Sequence, residues 1–452
     1  MHPKSQSANI SADMNRVKWP RRLSFVLEKT PTRAAASLLL TAVHGQDIDG
    51  QWQGTVQTAT PFRMVLKGLK TGDQLRTFIV FVDHNPEYLP MSTFFGPDGE
   101  VKFSIASWFS IDGKVSSDGK TITGTWNAGV ESGKVDLQRT TPEESWLTKS
   151  TIRMVTVAPN VSLEVIDWGG DGPPLVFLSG LGNTAHIFDT FAPKFLPEYH
   201  VLGITRRGFG VSSRPAPDAV NYRADQLGDD ILRVIDSLGL KKPVLVGHSI
   251  AGEELSSIGS RYPKIIAGLI YLDAGYPFAL YSAESGDTRL DALEVEKQLS
   301  AYLVASFGAD RRRVIADLLS QLPRLQKGLE TDQKHDGLYP DGPSPKQPDA
   351  QIRQAILNGE NKYNELEVPI LAIFANPHNP ENYFPHVSQE NLAALGALDQ
   401  ARTAAQARAF EKLKSAKVVV LPNASHYVFS SNEQDVERAM KDFLKTLDLK
   451  QK

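Results

Sequence analysis

The stretch Pro243-Val-Leu-Val-Gly-His-Ser-Ile-Ala-Gly-Glu-Glu-Leu255 decides the fold of the larger part of this 452-residue chain. A short apolar run rich in β-branched residues ends at Gly247, Ser249 follows, and an apolar-periodic stretch begins after it. This order predicts a buried strand, a sharp turn and a helix, with Ser249 at the apex of the turn. Such a turn lifts the serine hydroxyl clear of the sheet and points the N-terminus of the helix at it. An ordinary strand-to-helix turn of a doubly wound domain is the alternative interpretation.

Composition excludes several classes of function. Apolar residues make up 41% of the chain and charged residues 22%, as in globular proteins with a packed core. The formal net charge of −3, from 49 basic and 52 acidic residues, gives no electrostatic case for nucleic acid or an anionic membrane as partner. Because the chain has no cysteine, disulfides, thiolate catalysis and cysteine-ligated zinc are excluded. The length predicts about two to three domains.

The first 46 residues form a tail that we expect to contain a signal peptide. The apolar run 34–43 is about the length of a signal-peptide core and far short of the ~20 residues of a membrane span. Four basic residues precede this run: Arg21, Arg22, Lys29 and Arg33. The cleavage point is expected at residues 44–46, where Val43 and Gly45 approximate the small-x-small pattern. The sequence therefore predicts an exported protein with no integral membrane span, or a cytoplasmic one if the run is not a signal peptide.

Residues 47–140 have the pattern of a small all-β, barrel-like domain. The runs 62–66 and 101–105 alternate apolar and polar residues, as half-buried strands do. Asp-Gly pairs predict hairpin turns, because glycine accepts a positive φ at little cost: Asp98-Gly99, Asp112-Gly113 and Asp118-Gly119. The Gly50-Gln-Trp52 start and the later Trp126 are similar to lipocalin-like barrels, in which such a tryptophan closes one end. We expect a structural, docking or substrate-tethering role here, with a small-molecule pocket as the alternative.

Residues 150–452 predict an α/β domain, which follows a linker at 140–144. Strand-like runs alternate with helix-like patterns along this part of the chain. The strand-like runs are 152–157, 162–167, 175–178, 199–205, 265–272, 368–374 and 417–421. Apolar residues at helical spacing mark the segments 227–238 and 436–447. This alternation predicts a mostly parallel sheet with the functional site at the carboxyl ends of its strands.

The Ser249 motif resembles the nucleophile elbow of the α/β-hydrolase family, with Ala251 in place of the usual glycine and Gly252 one step later. A serine hydroxyl needs a base to remove its proton, and the base needs a third group to orient it. In the order that the family uses, the base follows the last strand. His426 lies just past the strand-like run 417–421 and is therefore the predicted base. His248, beside the nucleophile, occupies the variable position of the motif.

The resemblance also concerns the insertion at residues 276–367. It contains helical patterns at 290–307 and 311–329, and a loop rich in glycine and proline follows at 337–348. In this family an insertion at that point forms a lid over the active site, so we expect a helical lid. A helical excursion without such a role is the alternative.

The acid of the triad is where the chain departs from the common pattern. The family usually places the acid in the loop after the penultimate strand, but the loop 375–383 has no Asp and only Glu381. The other place used in the family is the end of the strand that follows the nucleophile helix, where Asp273 lies. We predict Asp273 as the acid, with Glu381 as the alternative. A structural explanation of Asp273 is that it caps a turn.

The oxyanion hole needs two backbone N–H groups that face the developing charge. The resemblance assigns one to Ile250, the residue after the nucleophile. It assigns the other to Leu181, in a Gly-rich loop at 179–184 that resembles the His-Gly-x loop of the family with serine in place of histidine. The segment 206–213 resembles a further family signature and is expected to be structural, with Arg207 tying loops together.

The resulting hypothesis is a serine hydrolase that cleaves carboxylic esters, with a small-molecule ester as substrate and no metal or organic cofactor. A serine at position 249 argues against dehalogenase and epoxide hydrolase chemistry, for which the resemblance would demand an aspartate. An aminopeptidase or amidase is one alternative, with the substrate amine bound by an acid: Glu253, Glu254 or Asp291. A C–C hydrolase and a catalytically weak binding protein are two others. The oligomeric state stays open.

Overall fold

The computed structural model describes residues 47–58, 61–71, 74–82, 85–105, 109–129, 131–141, 144–147, 149–339, 349–378 and 387–449. The chain divides into two compact units, with the boundary between residues 147 and 148. The predicted signal peptide, the alternative acid Glu381 and residues 340–348 of the expected loop lie outside the described residues.

The first unit is a closed antiparallel barrel of eight strands in chain order, in which β1 also pairs with β8. The strands are β1 Gly50–Val56, β2 Phe62–Thr71, β3 Gln74–Phe81, β4 Asn85–Phe95, β5 Glu100–Ile105, β6 Phe109–Val115, β7 Thr121–Ala128 and β8 Glu131–Thr140. Closure satisfies the hydrogen-bonding groups that an open sheet would expose at its edges. The predicted all-β, barrel-like unit is therefore confirmed.

Side chains fill the barrel, because alternate residues of each strand point inward. Trp52, Phe103 and Ile111 are fully buried and belong to one apolar cluster that includes both tryptophans of the sequence motif. The Trp52 indole donates a hydrogen bond from Nε1 to the backbone oxygen of Ile48 at 3.2 Å, and the Arg139 guanidinium lies 5.0 Å from its ring centroid. Trp52 therefore has an apolar contact surface, a hydrogen-bond partner and a cation beside it.

Two of the three Asp-Gly pairs form the predicted turns. Asp98-Gly99 connects β4 to β5, and Asp118-Gly119 connects β6 to β7. The prediction for the third pair is wrong, because Gly113 lies inside β6 and pairs with Gly124 of β7. A Cβ on Gly113 would come within 2.9 Å of the Ile122 side chain. This glycine allows a close approach between strands and does not make a turn.

The second unit contains an eight-stranded sheet in the order β16-β15-β14-β13-β11-β12-β10-β9. Its strands are β9 Thr151–Ala158, β10 Val161–Gly169, β11 Pro174–Leu178, β12 His200–Thr205, β13 Val244–His248, β14 Gly268–Leu272, β15 Ile370–Ala375 and β16 Ala416–Leu421. Strands β9 and β10 pair antiparallel, and the neighbouring pairs from β12 to β16 are parallel. The carboxyl ends of the parallel strands therefore meet at one edge of the sheet.

Helices cover both faces of this sheet and give it two apolar cores. The helices of this unit are α1 Ala219–Tyr222, α2 Ala224–Ser237, α3 Ala251–Arg261, α4 Thr288–Val304, α5 Ala309–His335, α6 Ala350–Asn358, α7 Gln389–Glu411, α8 Val428–Ser431 and α9 Glu433–Leu444. One core joins α2, α3 and α7 to one face of the sheet. The other joins α9 to the opposite face, together with the buried side chains of Phe188, Phe191, Phe195 and Phe429. Strands β11, β13, β14 and β15 are buried along their whole length, which explains their continuous apolar runs.

The long insertion between β14 and β15 is helical. Helices α4 and α5 correspond in sequence to the two predicted helical stretches, 290–307 and 311–329, and they pack against each other. Helix α6 precedes β15. No helix in the described part of the chain is long and apolar enough to cross a membrane.

Candidate active site

Ser249 lies between β13 and α3 with a backbone φ of +54°, which is unusual for a residue other than glycine. Such strained conformations are frequent at functional sites. The departure from the family motif has a simple explanation, since Ala251 is the first residue of α3 and needs no positive φ. Gly252 is the position that excludes a side chain, because a Cβ there would stand 2.0 Å from the backbone oxygen of Ala274.

Asp273 and His426 form a close pair at the carboxyl edge of the sheet. Asp273 directly follows β14 and has a φ of +47°, and His426 lies in the loop between β16 and α8. The His426 Nδ1 is 2.7 Å from Asp273 Oδ2. A carboxylate at Nδ1 leaves the proton-accepting role to Nε2, as in a Ser-His-Asp triad. The structure brings Asp273 to His426, whereas the alternative acid Glu381 lies outside the described residues.

Asp273 is almost fully buried yet remains ionised. Its Oδ1 accepts a hydrogen bond from the backbone N–H of Ala375 at 2.9 Å, and its Oδ2 accepts one from the Tyr276 hydroxyl at 3.2 Å. Burial acts to raise the pKa of the Asp273 carboxyl, but hydrogen bonds from His378 and His426 outweigh it and lower that pKa to about 2. The Asp273 carboxylate is therefore charged at neutral pH.

Sequence reasoning missed His378, which binds the same carboxylate. It lies in the loop after β15, and its Nε2 is 2.7 Å from Asp273 Oδ2, the oxygen that also faces His426. Its Nδ1 is 2.8 Å from Oδ2 of Asp399 in α7. Burial would lower the pKa of this imidazole, but hydrogen bonds to Asp273 and Asp399 raise it to about 10. The only signal in the sequence was its position, in the loop where the family usually places the acid.

His248 is a second histidine whose role the sequence did not reveal. Its Nε2 donates to the backbone oxygen of His426 at 3.0 Å, and the two imidazole centroids are 4.6 Å apart. Its ring is buried, and burial together with the neighbouring His426 lowers its pKa to about 3. His248 is therefore a neutral side chain that fixes the loop of His426 through a main-chain contact.

No hydrogen bond joins the Ser249 hydroxyl to His426 within the described residues. In structures without substrate such contacts are often long, and they tighten when substrate binds. Asp273 and His426 do not depend on Ser249 for their positions, because Asp273 binds the side chain of His426 and His248 binds its backbone oxygen.

The Gly-rich loop at 179–184 lies directly against the nucleophile. A Cβ on Gly180 would stand 2.9 Å from His248 Nδ1 and 3.2 Å from Ser249 Cβ, so only glycine allows this approach. The backbone N–H groups of Leu181 and Ile250 donate to no acceptor among the described residues. Both groups are thus available for a developing oxyanion, the role that the sequence predicts for them.

A buried ion pair between Arg206 and Glu254 contacts the loop at 179–184. Both guanidinium donors on one side of Arg206 bind the carboxylate of Glu254, and its Nη2 also donates to the backbone oxygen of Ser179 at 2.9 Å. Arg207 binds Asp230 through two contacts of 2.6 Å, which fits its predicted structural role. Glu254 therefore links the nucleophile helix to the loop through Arg206.

Asp273, His378 and His426 also place three potential metal-ligand atoms within 4.8 Å of one another. Zinc bonds of about 2.0–2.1 Å would hold tetrahedral ligand atoms roughly 3.3 Å apart. Each imidazole nitrogen here is 2.7 Å from the same carboxylate oxygen, which is a hydrogen-bond distance. The donor set fits two hydrogen-bonded imidazole–carboxylate pairs better than a metal centre.

Residues 173–433 match the family model described as alpha/beta hydrolase fold. Because the match spans more than half of the chain and the sheet has the corresponding α/β architecture, the chain belongs to the alpha/beta hydrolase fold family. The family and its hydrolase relatives identify the protein as a hydrolase.

Similar proteins include two relatives by sequence and one solved structure. The 2-(acetamidomethylene)succinate hydrolase of Mesorhizobium japonicum is 23% identical over 281 residues, which cover 61% of this chain and 89% of that protein. The fluoroacetate dehalogenase of a Burkholderia species is 34% identical over 107 residues, 23% of this chain and 35% of that protein. The crystal structure of epoxide hydrolase A from Mycobacterium thermoresistibile aligns with 67% of this chain and 100% of its own, at 20% identity and a TM-score of 0.42.

Proposed function

We propose that the protein is a serine hydrolase that cleaves carboxylic esters through an acyl-enzyme on Ser249. The observation that carries this proposal is the convergence of three features at one edge of the sheet. Ser249 has the strained backbone of a nucleophile elbow, His426 lies 2.7 Å from the ionised Asp273, and the loop of Leu181 packs against the serine.

In this reaction Ser249 Oγ attacks the ester carbonyl carbon while its proton passes to His426 Nε2. The oxygen that becomes negative accepts hydrogen bonds from the N–H groups of Leu181 and Ile250. As the tetrahedral intermediate collapses, the C–O bond to the alcohol breaks and the alcohol takes the proton from His426. Water then repeats the sequence on the acyl-enzyme and releases the carboxylic acid. Asp273 accepts the Nδ1 hydrogen bond throughout and stabilises the imidazolium.

The acids that an aminopeptidase would use for the substrate amine have other roles in this structure. Glu254 binds Arg206, and Asp291 accepts hydrogen bonds from the Tyr281 hydroxyl at 2.6 Å and the Lys362 ammonium at 2.7 Å. Burial, reinforced by the neighbouring Glu360 and Glu254, raises the pKa of Glu253 well above its usual value and disfavours the anion that an amine needs. These contacts support an ester substrate over an amine-bearing peptide.

The nucleophile can be tested with a fluorophosphonate probe and a panel of p-nitrophenyl esters of increasing acyl length. We expect the wild type to be labelled and to hydrolyse at least the short esters. The Ser249→Ala variant should lose the label and several orders of magnitude in kcat.

The Ser256→Ala variant is the matched control, because Ser256 is a buried serine of α3, the helix that follows Ser249, and its hydroxyl lies 2.9 Å from that of Tyr271. It should keep the label. A folded wild type that neither reacts with the probe nor cleaves any ester would refute the proposal and favour the binding-protein alternative.

A further inference from the structure

His378 occupies the place where an acid would complete the common form of this fold. It lies in the loop after β15, only 5% of its side chain is exposed, and each ring nitrogen faces a carboxylate oxygen. An imidazole can donate from both nitrogens at once only when it is protonated. Asp273 and Asp399 are acceptors, so the geometry on both sides of the ring is that of an imidazolium.

We propose that His378 is a positioning residue, held as an imidazolium between Asp273 and Asp399, which orients the triad acid and sets the lowest pH at which His426 acts as a base. The proposal rests on the proposed function, in which His426 must be neutral to accept the serine proton. Its consequence is a fixed positive charge near the base, because His378 and His426 both bind Oδ2 of Asp273.

The distances give the expected size of the effect. The ring centroids of His378 and His426 are 6.2 Å apart. A positive charge at this distance opposes protonation of His426 by about 0.5 to 2 pH units for effective dielectric constants of about 80 to 20. Replacing the charged ring with a neutral group should therefore raise the pH at which His426 loses its proton by that amount.

Both imidazoles contact further side chains among the described residues. His426 contacts the carboxylate of Asp273, the neutral ring of His248 and the rings of Tyr276 and Tyr427. His378 contacts Asp273 from β14 and Asp399 from α7. Tyr276 also donates its hydroxyl proton to Asp273. Of the side chains in these contacts, His378 is thus the cation and the two aspartates are the anions.

The direct test follows each imidazole by NMR in histidine-labelled full-length protein over the pH range in which it stays folded. The His378→Gln variant replaces the ring with a neutral amide whose N–H can still donate to Asp273. We expect His378 to stay protonated well above its ordinary midpoint of 6.5 in the wild type. In His378→Gln the midpoint of His426 should rise by about 0.5 to 2 units. A neutral His378 at pH 7, or an unchanged His426 midpoint, would overturn the proposal.

The same shift should be visible in turnover, where the acid limb of kcat/KM against pH reports the base of the free enzyme. That limb should move to higher pH in His378→Gln, while a purely structural defect would lower kcat/KM at every pH without moving the limb. The control is His200→Gln, which removes another histidine–carboxylate contact, with Asp167, at the start of β12. Its limb should not move. If the wild type has no esterase activity but the NMR midpoint of His426 still rises, the proposed function fails and the role of His378 stands.

Discussion

Two buried histidines of the α/β unit have nearly the same surroundings and different consequences. His186, in the short turn after the loop 179–184, has its Nδ1 2.9 Å from Asp189 and its Nε2 3.4 Å from Glu164. His378 has both nitrogens within 2.8 Å of carboxylates. Burial acts against the charge in both cases, yet the carboxylates raise the pKa of His186 to about 9 and that of His378 to about 10.

The difference lies in what else each carboxylate binds. Asp189 also accepts a hydrogen bond from the Trp168 indole at 2.9 Å, and Glu164 accepts one from the Thr205 hydroxyl at 2.7 Å. Those partners belong to packed elements of the fold. Asp273, by contrast, is shared between His378 and His426, close to the nucleophile. The role of a histidine between two carboxylates thus depends on what else those carboxylates bind. It is structural where the second partner is a packed side chain, and it belongs to the proposed active site where the second partner is the proposed base.

The largest expected effect comes from the shared carboxylate itself. In the Asp273→Asn variant the side chain has the same shape, but its amide favours the wrong tautomer of His426. It also lacks the negative charge that stabilises the imidazolium. We expect kcat to fall by about 10⁴-fold, as for the corresponding change in other triads. Kinetics on the best ester of the panel measure it. Glu381→Gln should lose far less activity, and the reverse ranking would refute Asp273 as the acid.

A smaller effect, and one on stability, is expected at the other histidine. The His186→Gln variant leaves two buried carboxylates without their cation, which typically costs about 3–5 kcal/mol. The melting temperature should fall clearly, while the acid limb of kcat/KM should stay where it is. A shifted limb in His186→Gln would show that the two histidines do not differ as the structure indicates.

The smallest effect concerns the pH dependence of stability. Both imidazoles have folded-state pKa values above the ordinary 6.5, so their contribution is fully present below pH 6.5 and is lost as the pH rises through about 9 and 10. The melting temperature of the wild type should therefore decline between pH 7 and pH 10. The decline should be shallower in His186→Gln, which has one such group fewer. Equal slopes would contradict a raised pKa for His186.

The sequence predicted those parts of the molecule that depend on local order. The strand–turn–helix at Ser249, the strand before Asp273 and the loop that holds His426 each have a pattern that can be read from neighbouring residues. The closed barrel followed from alternating runs and Asp-Gly turns, although Gly113 was misassigned because a glycine in a turn and a glycine in a tightly packed strand look alike.

What the sequence could not predict depends on neighbours distant in the chain. His378 and Asp273 are 105 positions apart, and His248 and His426 are 178 positions apart. No periodicity connects such pairs. Glu254 suited the positive end of its helix equally well whether it faced solvent, a substrate or Arg206. The roles of these side chains appear only when the strands bring their carboxyl ends together.

The closure of the barrel has a practical consequence for the chain as a whole. Because β1 and β8 are hydrogen-bonded neighbours, with Gln51 opposite Thr140, the polypeptide enters and leaves this unit at adjacent points. A segment whose two ends lie side by side can be excised or transplanted with a short splice. Residues 50–140 contain all eight strands of the barrel and none of the strands of the α/β sheet, so the two sheets share no strand.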